Sequence, residues 1–192
     1  MKVIQLHQEE KQLIMLAVEN NRQAQQQIYA KFSSKMLSVC RQYIKDIHHA
    51  EDVMITGFMK VFTNLKNFEH KGSFEGWIRR IMVYECIDFL RVKKNNVNHK
   101  DIEDITVSEN ESVYEMEDFS VDDIQNMIDN LPDGYRMVFN LYAIEGYKHQ
   151  EIAEMLKISE GTSKSQLSHA RKLLQQQITD LKNKLNDIAT IR

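Results

Sequence analysis

Apolar residues along this chain recur every three or four positions, and nowhere do they alternate with polar ones at the period of two that a half-buried β-strand requires. Ile28, Phe32, Met36, Val39, Tyr43 and Ile44 fall on one helical face. Asp46 suits the N-cap of a second helix, whose face is Ala50, Val53, Met54, Gly57, Phe58, Val61, Phe62 and Leu65. Residues 67–76, which include KGSFEG, predict a loop, and a third helix is expected over 77–92. Further on, Leu131-Pro132-Asp133-Gly134 predicts a turn and a helix start. That helix carries Met137, Val138, Leu141 and Tyr142 and is expected to stop at Gly146. Six glycines and one proline in 192 residues leave few breaks, so the fold class is all-α.

These elements group into an N-terminal helical domain over 5–94, an acidic flexible linker over 95–120, a C-terminal helical domain over 121–178 and a polar tail over 179–192. The net charge of −3 hides a segregated pattern. Residues 101–135 contain no Lys or Arg, whereas 71–100 and 148–192 are both rich in them. The linker reads as a solubilising spacer, with a regulatory role as the sharper alternative. Cys40 and Cys86 lie among apolar residues and read as reduced core thiols of a cytosolic protein. The start, MKVIQLHQEEK, has no apolar signal core, and the apolar run 13–18 is too short to span a bilayer. The expected setting is cytoplasmic, without membrane insertion.

The strongest chemical signal is HQEIAEMLKISEGTSKSQLSHARKLL at 149–174. A short helix with Ile152, small Ala153 and Leu156 leads into the turn Lys157-Ile158-Ser159, where Ile158 plugs the core and Ser159 caps a second helix. On a wheel at about 100° per residue, Ser163, Leu167, Ala170 and Leu174 share one side of that second helix. Ser165, Ser168, His169 and Lys172 lie opposite, with Lys164 and Arg171 along one edge. A packed face opposed by short hydrogen-bonding groups and cations is what a recognition helix in a major groove requires. The plainer alternative is a helical hairpin with a solvated basic face.

The helix WIRRIMVYECIDFLRVKK is apolar over most of its circumference, through Ile78, Ile81, Met82, Cys86, Phe89 and Leu90. A polar wedge holds Trp77, Arg80, Tyr84, Asp88 and Arg91, and Arg79 falls outside it. Aromatics beside arginines suit stacking on unpaired bases. The loop over 68–74 is a candidate wall of a pocket for an extruded base. Core aromatics with solvated arginines remain the ordinary reading. His48-His49-Ala50-Glu51-Asp52 carries metal-capable groups, but neighbours on a helix point apart, so no metal or other cofactor is expected. No nucleotide-binding or hydrolase motif and no fixed acid–base pair is present, which argues against an enzyme and against a small-molecule substrate.

In combination, AEDVMITGFMKVF at 50–62, GSFEGWIRRIMVYECIDFLR at 72–91 and LPDGYRMVFNLYAIEGYKHQEIAEMLKISEGTSKSQLSHARKLL at 131–174 resemble the extracytoplasmic-function subgroup of bacterial sigma factors. The resemblance covers most of the chain from Ala24 onward and is carried chiefly by the latter two motifs. It implies a two-domain factor, the second domain a helix-turn-helix, that binds RNA polymerase core and directs transcription initiation at promoter DNA. Asp52, Ile55, Phe58, Met59 and Phe62 would meet the polymerase core. Phe68, Ser73, Phe74, Trp77, Arg79, Arg80, Tyr84, Asp88, Arg91 and Lys93 would open and hold the downstream element. Thr162, Lys164, Ser165, Gln166, Ser168, His169, Arg171 and Lys172 would read the upstream element as duplex. The linker would thread through polymerase, and an anti-sigma factor is an implied partner.

This chain departs from the family pattern at four places. Ile55 and Thr56 stand where a Gln-Glu pair is usual, Tyr84 where Asn is usual, His169 where Arg is common, and Ser163 where a branched apolar residue is usual. Two other function classes stay open from residues alone. A regulator could bind duplex operators without polymerase, which leaves the Trp77 wedge unexplained. A helical adaptor without DNA binding leaves the polarity of the second helix of 149–174 unexplained.

Overall fold

The computed structural model describes the backbone of residues 2–96 and 119–190 and the side chains of 9–93 and 119–184. All regular structure among these residues is helical, and the chain divides into two compact units at the 96/97 boundary. The expected linker lies outside the described residues, apart from its ends: residues 95 and 96 finish a helix, and Ser120 caps the next.

The first unit is built from α1 (Lys2–Val18), α2 (Arg22–Tyr43), α3 (Ile47–Asn64), a 3-10 turn (Leu65–Asn67) and α4 (Phe74–Asn96). Helices α2, α3 and α4 pack on one another, and α1 lies against α2 and the 3-10 turn. Polar side chains set the starts. Asn21 Oδ1 accepts from Ala24 N at 3.1 Å, and Asp46 Oδ1 accepts from His49 N at 3.0 Å. Between them the apolar stripes close a core that includes Ile28, Phe32, Met36, Val53, Met54, Val61, Ile78, Met82 and Cys86. The Met82 side chain of α4 packs directly on Gly57 of α3, since a methyl group placed there would sit 2.3 Å from Met82 Sδ. A polar bond also crosses from α3 to α4: Lys60 Nζ donates to the carboxylate of Glu85, a residue otherwise buried.

The expected loop over 67–76 ends earlier than its glycines suggest. Ser73 Oγ accepts from Gly76 N at 3.0 Å, and α4 begins at Phe74. Burial of Phe74 together with this serine cap draws the helix start upstream, and Gly76 occupies its solvent-facing first turn. The helix also continues beyond the expected 92, to Asn96.

The second unit contains α5 (Val121–Asp129), α6 (Asp133–Phe139), a π-helical turn (Asn140–Ile144), α7 (His149–Leu156) and α8 (Glu160–Thr190). Ser120 and Asp123 form a reciprocal capping box at the start of α5. Pro132 caps α6, and the path from there ends at Gly146 with φ 78°, as the glycine signal predicts. Val138 and Leu141 are buried on this path, but Tyr142 is at the surface. The π turn, closed by Glu145 N donating to Asn140 O at 3.0 Å, widens the last turn and rotates Tyr142 off the apolar face. Lys157 takes the left-handed conformation between α7 and α8, with Ile158 N donating to Ala153 O. Residues 179–190, expected as a polar tail, continue α8. Its half-buried Leu174, Ile178 and Leu181 extend the packing side, and Lys182 Nζ stands 5.7 Å from the Phe119 ring centroid.

Arg136 is a core residue of this unit. Its guanidinium, 1% exposed, donates to the carbonyls of Asp129 and Leu131 at 3.3 Å each and to Asp133 Oδ1 at 2.6 Å. It thereby ties together the end of α5 and the start of α6 by satisfying carbonyls that a helix terminus leaves open.

Candidate nucleic-acid interface

On α4 the polar wedge faces outward. Arg80, Tyr84 and Asp88 are exposed, Trp77 and Arg91 are half-buried, and Lys93 is exposed. The Arg80 guanidinium lies 6.0 Å from the Tyr84 ring centroid, and Arg91 donates to Asp88 Oδ1 at 2.9 Å. Arg79, which the wheel places outside the wedge, is half-buried. Ser73 is exposed and holds the helix start.

Phe68 and Phe74 do not form an open pocket wall; both are buried. Phe68 lies 5.1 Å from Phe74 and 5.4 Å from Trp77, and Phe74 stacks on Trp77 at 5.9 Å. On its other side Phe74 meets Phe32 edge-on at 5.7 Å. Burial of these apolar rings, Phe74 against Phe32 of α2 and Phe68 against Phe74 and Trp77, is more favourable than leaving them in a solvated loop. They form the backing that fixes Trp77 at the rim.

On α3, Asp52, Ile55 and Met59 are exposed and Phe62 is half-buried, with Met59 at 66% exposure. Phe58 is buried, edge-on to Tyr29 at 4.8 Å, so it supports this face from beneath. Ile55 and Met59, four residues apart, form an apolar ridge open to solvent that a partner surface can cover.

In the second unit the short helix α7, the left-handed turn and α8 form a helix-turn-helix. Ser163, Leu167 and Ala170 are buried as the wheel places them. Lys164, Ser165, Ser168 and Arg171 are exposed along the opposite strip, while Thr162 and Lys172 are half-buried. Thr162 belongs to the cap, since Ser159 Oγ accepts from its N–H at 2.9 Å. Gln166 and His169 sit at the flank nearest α6. His169 stacks on Tyr135 at 5.5 Å and 14°, and the Gln166 amide is the nearest group to Gly134. The helix-turn-helix thus offers a central strip of Lys164, Ser165, Ser168 and Arg171 with His169 held at one edge.

Glu160 and Lys164 pair at 2.7 Å, and this hydrogen bond holds the Glu160 carboxyl below the usual carboxylate range. A phosphate drawing on Lys164 competes with that pair.

Several structural residues escaped the sequence reading. Ser163 is buried as the wheel places it, but its partner was not read: its Oγ lies 2.9 Å from His149 Nδ1. A serine on the packed face of the wheel, with a histidine at the start of the preceding helix, was the available signal. Arg136 carried none, because its bonds depend on how α5 ends. The Lys60–Glu85 pair joins helices 25 residues apart.

The model of Sigma-70 region 2 matches residues 28–96, and that of Sigma-70 region 4 matches 121–174. The chain is 30% identical over 163 residues to the ECF RNA polymerase sigma factor SigW of Bacillus subtilis, covering 78% of this chain and 86% of that protein. It is 23% identical over 169 residues to the ECF RNA polymerase sigma-E factor of Haemophilus influenzae, covering 80% and 87%. Among solved structures, the sigma factor RpoE of Bartonella quintana, in complex with the anti-sigma factor NepR, has the same fold at a TM-score of 0.52 and 19% identity, over 80% of this chain and 96% of that one. The exposed wedge of α4 falls inside the first matched region and the strip of α8 inside the second.

Proposed function

The chain belongs to the extracytoplasmic-function sigma factors of bacterial RNA polymerase, and on that premise we propose how its surfaces divide the work of initiation. As a sigma factor it binds polymerase core and promoter DNA and directs transcription initiation, without a catalytic activity of its own. The 5–94 domain docks on core through Asp52, Ile55, Met59 and Phe62 of α3, with Phe58 as their support. The wedge of Trp77, Arg80, Tyr84, Asp88 and Arg91, flanked by Ser73, Arg79 and Lys93, holds the separated downstream strand. Phe68 and Phe74 brace Trp77 there. The 121–178 domain reads the upstream duplex through Lys164, Ser165, Ser168 and Arg171, with Thr162, Gln166, His169 and Lys172 at the margins.

The observation that carries this reading is the outward display of two cationic, hydrogen-bonding strips, Arg80 with Tyr84 on α4 and Lys164 to Arg171 on α8, each on a helix whose opposite side is buried in its own unit. Two weak readers become specific when polymerase fixes their spacing. The 95–120 segment acts as the tether between them. An anti-sigma factor, the kind of partner seen on the Bartonella relative, controls access to polymerase. No described helix is long and apolar enough to cross a membrane, in keeping with work at the chromosome in the cytoplasm.

Run-off transcription by core polymerase with and without the chain tests the reading. Promoter-dependent transcript only with the chain is expected. Operator binding without core association would favour a polymerase-independent regulator instead. Replacing Lys164 and Arg171 together by alanine is expected to weaken upstream-duplex binding and to flatten its salt dependence by about two counterions' worth. Unchanged binding would remove α8 as the reader.

A further inference from the structure

Arg171 is aimed by a surface built for it. Its guanidinium carbon stands 5.7 Å from the centroid of Tyr142. The same Tyr142 ring stacks on His149 at 4.6 Å and 21°. His149 Nδ1 then meets the Oγ of fully buried Ser163, back on α8. The path leaves α8 at Arg171, crosses the π turn and the start of α7, and returns to α8 two turns earlier. Each step is a ring stack or a hydrogen bond, so the tyrosine plane is fixed relative to the helix that carries the arginine. The π turn is the means, because it rotates Tyr142 out of the core.

We propose that Tyr142 is a positioning residue for promoter recognition, holding the Arg171 guanidinium pre-oriented toward the upstream duplex. The inference rests on the reading that Arg171 contacts that duplex. A long arginine side chain loses rotamer freedom when it binds a base edge or phosphate. Stacking on a tyrosine face removes part of that loss beforehand, while the guanidinium edge keeps its N–H donors for DNA. The ring contributes through the arginine and needs no DNA contact of its own.

The test uses the full chain on polymerase core. A randomised duplex pool selected by this holoenzyme supplies the preferred upstream element, and binding of that duplex is then measured for variants. Tyr142→Leu is expected to weaken binding about threefold, the size of an exposed cation–π contact, and Tyr142→Phe, which keeps the ring, to restore it. In an Arg171→Ala background, Tyr142→Leu should change nothing further. Additive losses, or a Tyr142→Leu chain that binds as the parent does while Arg171→Ala binds weakly, would overturn the positioning role and leave Arg171 as a contact. An Arg171→Ala chain that binds normally would overturn the contact reading itself. Should Tyr142→Leu melt early, Arg171→Lys serves in its place. It keeps the charge, loses the planar stack, and is expected to weaken binding to a similar extent; parental binding by that variant would overturn the proposal.

Discussion

Gly57 is under the tightest steric constraint of the glycines in the first unit. Gly57→Ala forces its new methyl group into Met82 Sδ, and the helix crossing must open or the methionine must leave its rotamer. The expected cost is about 1–3 kcal/mol, read as a lower denaturant midpoint at unchanged slope. In the second unit Arg136→Ala strands two helix-end carbonyls and the Asp133 carboxylate, and is expected to cost about 3 kcal/mol in the same measurement. Glu160→Gln should act in the opposite sense on function: it removes the charge that holds Lys164 and is expected to tighten duplex binding at low salt, measured by anisotropy. Ser163→Ala should lower the melting temperature by a few degrees through loss of the bond to His149, about 1 kcal/mol.

Helix ends supply the next set of expectations. Hydrogen bonding from the His49 amide to Asp46, and from Ser120 to Asp123, holds both carboxyls below the usual range. A depressed folded-state pKa means that the capping contribution is complete above the ordinary aspartate value and disappears as pH falls through the lower folded one. Lower amide protection factors at the starts of α3 and α5 under acid, lost before those of the core, are the expected outcome. Helix α7 ends on Lys157 at φ 55°, so Lys157→Gly is expected to raise the melting temperature slightly. Such element ends are also where sequence and structure part company. The stripe through Ile28, Phe32 and Met36, the Asp46 cap and the Gly146 stop were legible, because each depends on neighbours within a turn or two. The start of α4 at Phe74 was hidden, since the burial of that ring against Phe32 outweighed two nearby glycines. The π turn was hidden as well, and with it the surface position of Tyr142.

For the whole molecule, a near-neutral total charge coexists with two helices that carry cations to the surface. Promoter binding by the complete chain on core polymerase is therefore expected to weaken steeply as salt rises, despite the acidic pI near 6.2. The outward strips on α4 and α8 were recoverable from helical wheels, which depend only on spacing. The depth of Phe68 and Phe74 was not, because both lie in the stretch the glycines mark as a loop, where no helical wheel applies and burial depends on contacts such as Phe32.

Helix α8 carries one last implication. Its 31 residues run without a break from Glu160, through the strip at Lys164, to Thr190, about 46 Å of continuous rod. Such a rod curves only gently unless something interrupts its hydrogen bonds, so a change of tilt at the DNA end sweeps the far end through a proportionate arc. A fluorophore fixed at exposed Asn183 would act as a pointer, turning a small rotation of the recognition helix during promoter engagement into a displacement large enough to follow in real time.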